Sequence, residues 1–248
     1  MRALYVIGIG AGNPQHLTLE AVEALKNVDV VLAFQKESKE ELLALRRQIL
    51  ERYAPSASLV AMPDPPRERR PKEYVGEVKK WLAARAELLE QTIAEHVAED
   101  ATAAVLVWGD PSLYDSTLRI LDDLQLQTDV HVIPGITAIQ ALTAAHKIPL
   151  NLIGSDITIT TARKFAEQPS AENSVVMLDG GAAWMAQKDP HAYIWWGAYL
   201  GMDKEVLRSG YISDIGAEIV ELKEKLRNQY GWIMDIYLVR SVTNEAAG

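Results

Sequence analysis

Short apolar runs alternate with amphipathic stretches along the first part of the chain. Residues 3–9 (ALYVIGI) are almost wholly apolar and stop at glycines, as a strand buried on both faces does. Residues 29–34 (DVVLAF) and 103–108 (AAVLVW) read the same way, with shorter strands expected at 57–62 and 130–133. Between these runs the period lengthens. Leu19, Val22, Leu25 and Val28 recur at three-residue spacing and predict a helix over 17–28. Ser38-Lys39-Glu40-Glu41 has the form of a capping box and opens a helix to about residue 53. A long helical pattern covers 72–99, and another helix is expected over about 112–124. Thr137-Ala138-Ile139-Gln140 is a second capping box, starting a small-residue helix that runs to His146. Alternation of this kind builds a doubly wound α/β domain around a mostly parallel sheet.

Beyond residue 146 the texture changes. Ile148-Pro149-Leu150-Asn151 reads as a linker. Strand patterns at 157–161, 174–178, 193–198 and 232–240 then mix with helix patterns near 182–187 and 216–229. The expected architecture is two α/β domains, residues 1–148 with the parallel sheet and residues 149–248 with a mixed sheet. The Trp195-Trp196 pair suits a core or an interface equally well.

Composition narrows the function classes. Hydrophobic residues make up 48% of the 248 residues and charged ones 24%, the balance of an ordinary folded domain. A net charge of −9 repels phosphate backbones and disfavours bulk binding to nucleic acid. Without cysteine there are no disulfides and no thiolate chemistry. No apolar run reaches the roughly 18 residues of a membrane span, and the N-terminus enters a strand directly without a cleavage signal. A cytoplasmic protein is expected. The five histidines lack metal-ligand spacing, so no metal is expected.

Three strand-end loops carry the candidate chemistry. Gly8-Ile9-Gly10-Ala11-Gly12-Asn13-Pro14 allows close backbone approach to a ligand at a helix N-terminus. Its G-x-G-x-G spacing is not the dinucleotide fingerprint, and Gln35-Lys36 stand where a ribose-binding acid belongs, so NAD is disfavoured. Trp108-Gly109-Asp110-Pro111-Ser112-Leu113-Tyr114 follows a central strand; on its own, Asp110 reads most simply as a helix cap. Ile133-Pro134-Gly135-Ile136-Thr137-Ala138 is the third loop. All three follow strands and should line one edge of the sheet, where open α/β sheets hold ligands. Separately, Arg67, Arg69, Arg70 and Lys72 form a dense basic patch in a proline-rich segment, either a solvated loop or a clamp for an anionic substrate.

Taken in order, G-I-G-A-G-N-P-x-x-L-T, G-D-P-x-x-Y-x-S and P-G-I-T-A-x-x-A-x-x-A-x-x-I-P-L resemble the motifs of the tetrapyrrole methylase family, from residue 3 to about 240. Ala11 departs from the frequent proline there, and Trp108 from the glycine that often precedes the G-D-P. The resemblance implies transfer of a methyl group from S-adenosylmethionine (SAM) to a corrin or porphyrin precursor, with S-adenosylhomocysteine as product. It also implies a fold of two α/β domains with the cofactor in the cleft between them, and commonly a homodimer. Cofactor contacts implied by position are Gly10, Ala11, Trp108, Gly109, Asp110, Leu113, Thr137 and Ala138, then Leu178, Asp179, Ala198, Tyr199 and Leu200.

The branch resembled most methylates C-1 of a corrin precursor and releases an acetyl group as acetate, which requires an activated water. Asp110 and Tyr114 are the candidates for that role by motif position. A corrin precursor carries several carboxylate arms, so Lys36, Arg67, Arg69, Arg70 and Arg163 are the expected orienting cations. Two other classes compete: methylation of RNA or diphthine on the same fold, and a non-catalytic SAM- or nucleotide-binding module.

Overall fold

The computed structural model describes residues 2–35, 40–68 and 73–242. These divide into two compact units, 1–137 and 138–248. The division falls earlier than the linker pattern suggests, because helix α5 (Ala138–His146) packs on strands of the second unit.

In the first unit, β1 (Arg2–Gly8), β2 (Val30–Gln35), β3 (Ser58–Pro63), β4 (Thr102–Val107) and β5 (Thr128–Ile133) form a wholly parallel sheet in the order β3-β2-β4-β1-β5. Strand alternation divides the apolar side chains between two cores. Leu4, Val6, Leu32 and Val105 meet Leu89 and Ile93 of α3 (Tyr74–His96) and Ile120 of α4 (Thr117–Asp122). Ile7, Val31 and Leu106 on the opposite face meet Ala21 and Leu25 of α1 (Leu19–Leu25) and Leu45 and Ile49 of α2 (Glu40–Tyr53). Two covered faces explain why these strands read as continuous apolar runs. Each fully buried Leu, Ile or Val contributes about 1.5–3 kcal/mol. Because every strand runs the same way, the loops that follow them all emerge at one edge.

Helix α4 is shorter than its sequence pattern. Tyr114 has φ +51°, which no right-handed helix accommodates, and the Asp115 carboxylate takes the Thr117 amide at 2.6 Å. The helix therefore starts at Thr117 and not near Ser112.

In the second unit, β6 (Thr158–Thr161), β7 (Glu172–Met177), β8 (Ala192–Ala198), β9 (Val206–Tyr211) and β10 (Asp235–Ser241) form a mixed sheet in the order β6-β7-β10-β8-β9. Only the β6–β7 pair is parallel. Its core joins Trp184, Trp196, Tyr237 and Val176 to Phe165 of α6 (Ala162–Glu167) and to Ile219 and Leu226 of α7 (Ile212–Tyr230). Helix α7 ends at Gly231, whose φ of +74° suits glycine and whose amide closes on the Arg227 carbonyl at 2.8 Å. Trp196 is a core residue, while Trp195 lies half-buried on the other face against Tyr193 and Arg240. Among the described residues, no helix is long and apolar enough to cross a membrane.

Candidate functional site

The three glycine loops of the first unit meet backbone to backbone. Gly10 and Gly109 form an antiparallel bridge past the ends of β1 and β4, with Gly109 N donating to Gly10 O at 2.8 Å and the reverse bond at 3.2 Å. A Cβ on Gly135 would lie 2.2 Å from the Gly109 carbonyl oxygen, and one on Gly8 would lie 2.6 Å from Gly135 N. Both glycines are therefore required by close approach. Gly109 differs: its φ is +70°, and a Cβ there would meet nothing nearer than the Thr137 Cα at 3.9 Å. Bare backbone with open space beside it is what a ligand pressed against the chain needs.

Asp110 ties two of these loops together. Its Oδ1 accepts from the Ser112 amide at 2.8 Å and from the Ser112 hydroxyl, and its Oδ2 accepts from Gly135 N at 2.8 Å. Burial pushes this carboxyl upward, but the three hydrogen bonds win and hold it below the usual carboxylate range. Asp110 does not cap α4. A general base works best with a pKa near working pH, and the lowered pKa of Asp110 suits a charged latch between the loops better.

Tyr114, one turn of loop further on, is partly exposed, and burial of its phenol raises the pKa above the ordinary value. At neutral pH it holds its proton, which suits it to donate a hydrogen bond and not to abstract a proton. Around these residues Ala11 is buried, and Trp108, Leu113, Thr137 and Ala138 are half-buried.

In the second unit the remaining cofactor candidates share one sheet edge. Ile236 of β10 pairs with Met177 on one side and Gly197 on the other, so Leu178–Asp179 and residues 198–200 leave the sheet at the same level. Leu178 is 66% exposed with φ +58°. Tyr199 is buried with φ +52°; its hydroxyl donates to the Trp232 carbonyl, and Lys204 Nζ stands 4.4 Å from its ring centroid. Ala198 and Leu200 are buried as well. Asp179 is buried and committed to the protein: its carboxylate accepts from Gly181 N, Ala183 N and the Tyr237 hydroxyl at 2.8–2.9 Å. Left-handed backbone at Tyr114, Leu178 and Tyr199 is strained for non-glycine residues, and such strain concentrates at functional sites.

Of the expected orienting cations, Lys36, Arg69 and Arg70 lie outside the described residues. Arg67 is exposed, with its guanidinium 5.3 Å from the Trp81 ring, and Trp81 Nε1 donates to the Pro65 carbonyl at 3.0 Å. Arg163 is exposed on α6, in the other unit.

Two arginines not anticipated from the sequence stand at the strand-end edge of the first unit. Arg46 of α2 donates to the Leu106 carbonyl at 2.9 and 3.1 Å; burial lowers its pKa to about 10 against the opposing pull of Asp115. Arg85 of α3 pairs with Asp64 at 2.8 Å and lies 3.9 Å from the Phe34 ring and 4.5 Å from Trp81. A signal for both exists in the pattern: Arg46 shares a stripe with Leu43, Ile49 and Leu50, and Arg85 with Leu82 and Leu89. No group of three His, Asp or Glu side chains able to hold a metal occurs among the described residues.

The chain is 43% identical to precorrin-6A synthase [deacetylating] from Sinorhizobium sp, over 97% of this chain and 95% of that one. It is 48% identical to a protein described as related to cobalamin synthesis (CobF) from Corynebacterium diphtheriae, whose crystal structure superposes with a TM-score of 0.85 over 98% of this chain and all of that one. The fold also matches uroporphyrin-III C-methyl transferase from Thermus thermophilus complexed with S-adenyl homocysteine, at 19% identity and a TM-score of 0.64, covering 99% and 95% of the two chains. Residues 3–216 match the family profile of the tetrapyrrole (corrin/porphyrin) methylases, and the chain belongs to that family.

Proposed function

We propose that this protein transfers a methyl group from SAM to C-1 of precorrin-5 and releases the C-1 acetyl group as acetate, giving precorrin-6A. The observation that carries the reading is the 43% identity, over nearly the whole of both chains, to precorrin-6A synthase [deacetylating]. The loops fit the cofactor. Bare backbone at Gly109, with Gly10, Ala11, Leu113 and Thr137 nearby in the strand-end loops, suits a ligand read through main-chain groups. The proposed contacts of the second unit are the exposed Leu178 and the backbone of 198–200. SAM, when bound, supplies an electrophilic methyl group.

The residues mainly position and polarise. Orientation of two reactants lowers a barrier by roughly 7–11 kcal/mol at best. Deacetylation consumes one water: it adds to the acetyl carbonyl and gives up its two protons to solvent, the bond to C-1 breaks, acetate leaves, and the electron pair remains on C-1 for methylation. The Tyr114 phenol, protonated at neutral pH, donates to the carbonyl oxygen as charge develops there. Asp110 keeps the loops in register as an anion. Arg67, with Lys36, Arg69, Arg70 and Arg163, pairs with the carboxylate arms. The reading includes a cytoplasmic homodimer, for which the exposed Val130 and Val132 of edge strand β5 offer an apolar rim.

Incubation of the pure protein with precorrin-5 and methyl-labelled SAM is the direct test. Labelled product and acetate should appear in equal amounts. Methylation with no acetate would move the protein to another carbon of the macrocycle, and no methylation would end the assignment.

A further inference from the structure

Two cations of α7 grip consecutive carbonyls of the loop after β7. Lys223 Nζ donates to the Asp179 carbonyl at 2.9 Å and pairs with the Asp235 carboxylate at 2.8 Å, both side chains being almost wholly buried. Arg227 Nη2 donates to the Gly180 carbonyl at 3.0 Å. A spacing of four residues puts both donors on one helix face, a turn apart. The Asp179 carboxylate meanwhile takes the amides of Gly181 and Ala183 and the Tyr237 hydroxyl. The main chain of the loop is thus fixed from the helix side at two successive carbonyls, and at two amides by its own Asp179 carboxylate. The side chain it leaves exposed is Leu178, in a left-handed conformation.

We infer that Lys223 and Arg227 are positioning residues for cofactor binding: they hold the 178–181 backbone in the shape that receives SAM while touching neither cofactor nor substrate. The inference rests on the reading that the loop at Leu178 belongs to the cofactor contacts. It accounts for a feature that packing alone does not require, since Arg227 is exposed and its side chain reaches across to the Gly180 carbonyl.

Arg227→Ala removes the donor at an exposed helical position and leaves the buried Lys223–Asp235 pair intact. Titration calorimetry with S-adenosylhomocysteine should show an affinity about fivefold weaker, the equivalent of one hydrogen bond of about 1 kcal/mol. KM for SAM should rise by a similar factor with kcat and the melting temperature nearly unchanged. Arg227→Lys, which can still reach a carbonyl, should restore most of the affinity. Lys223→Met should weaken binding further, at a cost in stability. Hydrogen exchange separates the inference from the reading beneath it, because S-adenosylhomocysteine should protect the amides of 178–181 in the parent protein. Protection in the parent with parental affinity in Arg227→Ala overturns the positioning role alone. A lower melting temperature with unchanged affinity does the same. Absence of protection overturns the cofactor reading of the loop and this inference with it.

Discussion

Replacing Gly135 by alanine separates two reasons for glycine that sit side by side in the strand-end loops. A Cβ at Gly135 would stand 2.2 Å from the Gly109 oxygen and 2.8 Å from the Gly8 Cα, all backbone atoms, so no rotamer change relieves it. The Gly109 carbonyl must retreat from 2.2 Å to at least the 3.4 Å at which ordinary contact begins. That carbonyl accepts from Gly10 N, and the Gly135 amide itself donates to Asp110. Overpacking costs about 1–3 kcal/mol, and straining a hydrogen bond to a charged group up to about 1.5–3 kcal/mol more. The expected loss is therefore about 3–5 kcal/mol, or roughly 6–20 °C in melting temperature for a chain of this size. Gly109→Ala meets open space and faces only the left-handed φ, about 1–2 kcal/mol. Asn tolerates that conformation, so Gly109→Asn should be milder still, whereas Gly135→Asn should be at least as harmful as the alanine. Thermal melts of the four variants, paired with calorimetric titration of S-adenosylhomocysteine, give the comparison. A Gly135→Ala melt within about 2 °C of the parent, or a Gly109→Asn as damaged as Gly135→Ala, refutes the distinction.

Asp110→Asn should lose about 1–3 kcal/mol at pH 7. Because the folded-state pKa of Asp110 is depressed, its stabilisation is complete above the unfolded pKa of about 4 and vanishes as pH falls through the folded value; urea unfolding at several pH values should show the parent and variant converging in acid. Tyr114→Phe should lower kcat about tenfold or more and leave S-adenosylhomocysteine affinity unchanged; a parental kcat removes Tyr114 from the chemistry. Arg67→Gln should raise KM for the tetrapyrrole several-fold and not that for SAM, and equal effects on both would contradict a substrate role.

The parallel sheet was legible because β1, β2 and β4 are covered on both faces and so present unbroken apolar runs, bounded by glycine or by helical spacing. The convergence of the three loops followed from strand direction alone. The strand β9 was not expected, since Val-Leu-Arg-Ser-Gly-Tyr at a sheet edge has no clean alternation. Helix α6 is too short to establish a period. Asp110 shows the limit at the site: its position announced a cap, but its partner Gly135 is distant in sequence, and only tertiary contact makes it a latch. The same holds for Lys223 with Asp235, where each member looks like surface charge until the fold buries the pair. Arg46 and Arg85 were within reach, as charges interrupting apolar helix stripes.

The bridge between Gly10 and Gly109 also constrains the order in which the first unit is completed. Strand β1 is made before the other strands of its sheet, yet it lies between β4 and β5, the last two of them. Its glycine loop has no partner until the chain beyond residue 109 has emerged, and Gly135 fits against Gly8 only later still. Pairings this distant in sequence close a long loop before they return any contact energy, which makes them slow. The strand-end edge is consequently among the last features of the unit to become native. Nascent chains halted before Thr102 would present a hydrophobic β1 with neither neighbour in place. Competence to retain cofactor would then mark the moment at which β1 is enclosed on both sides.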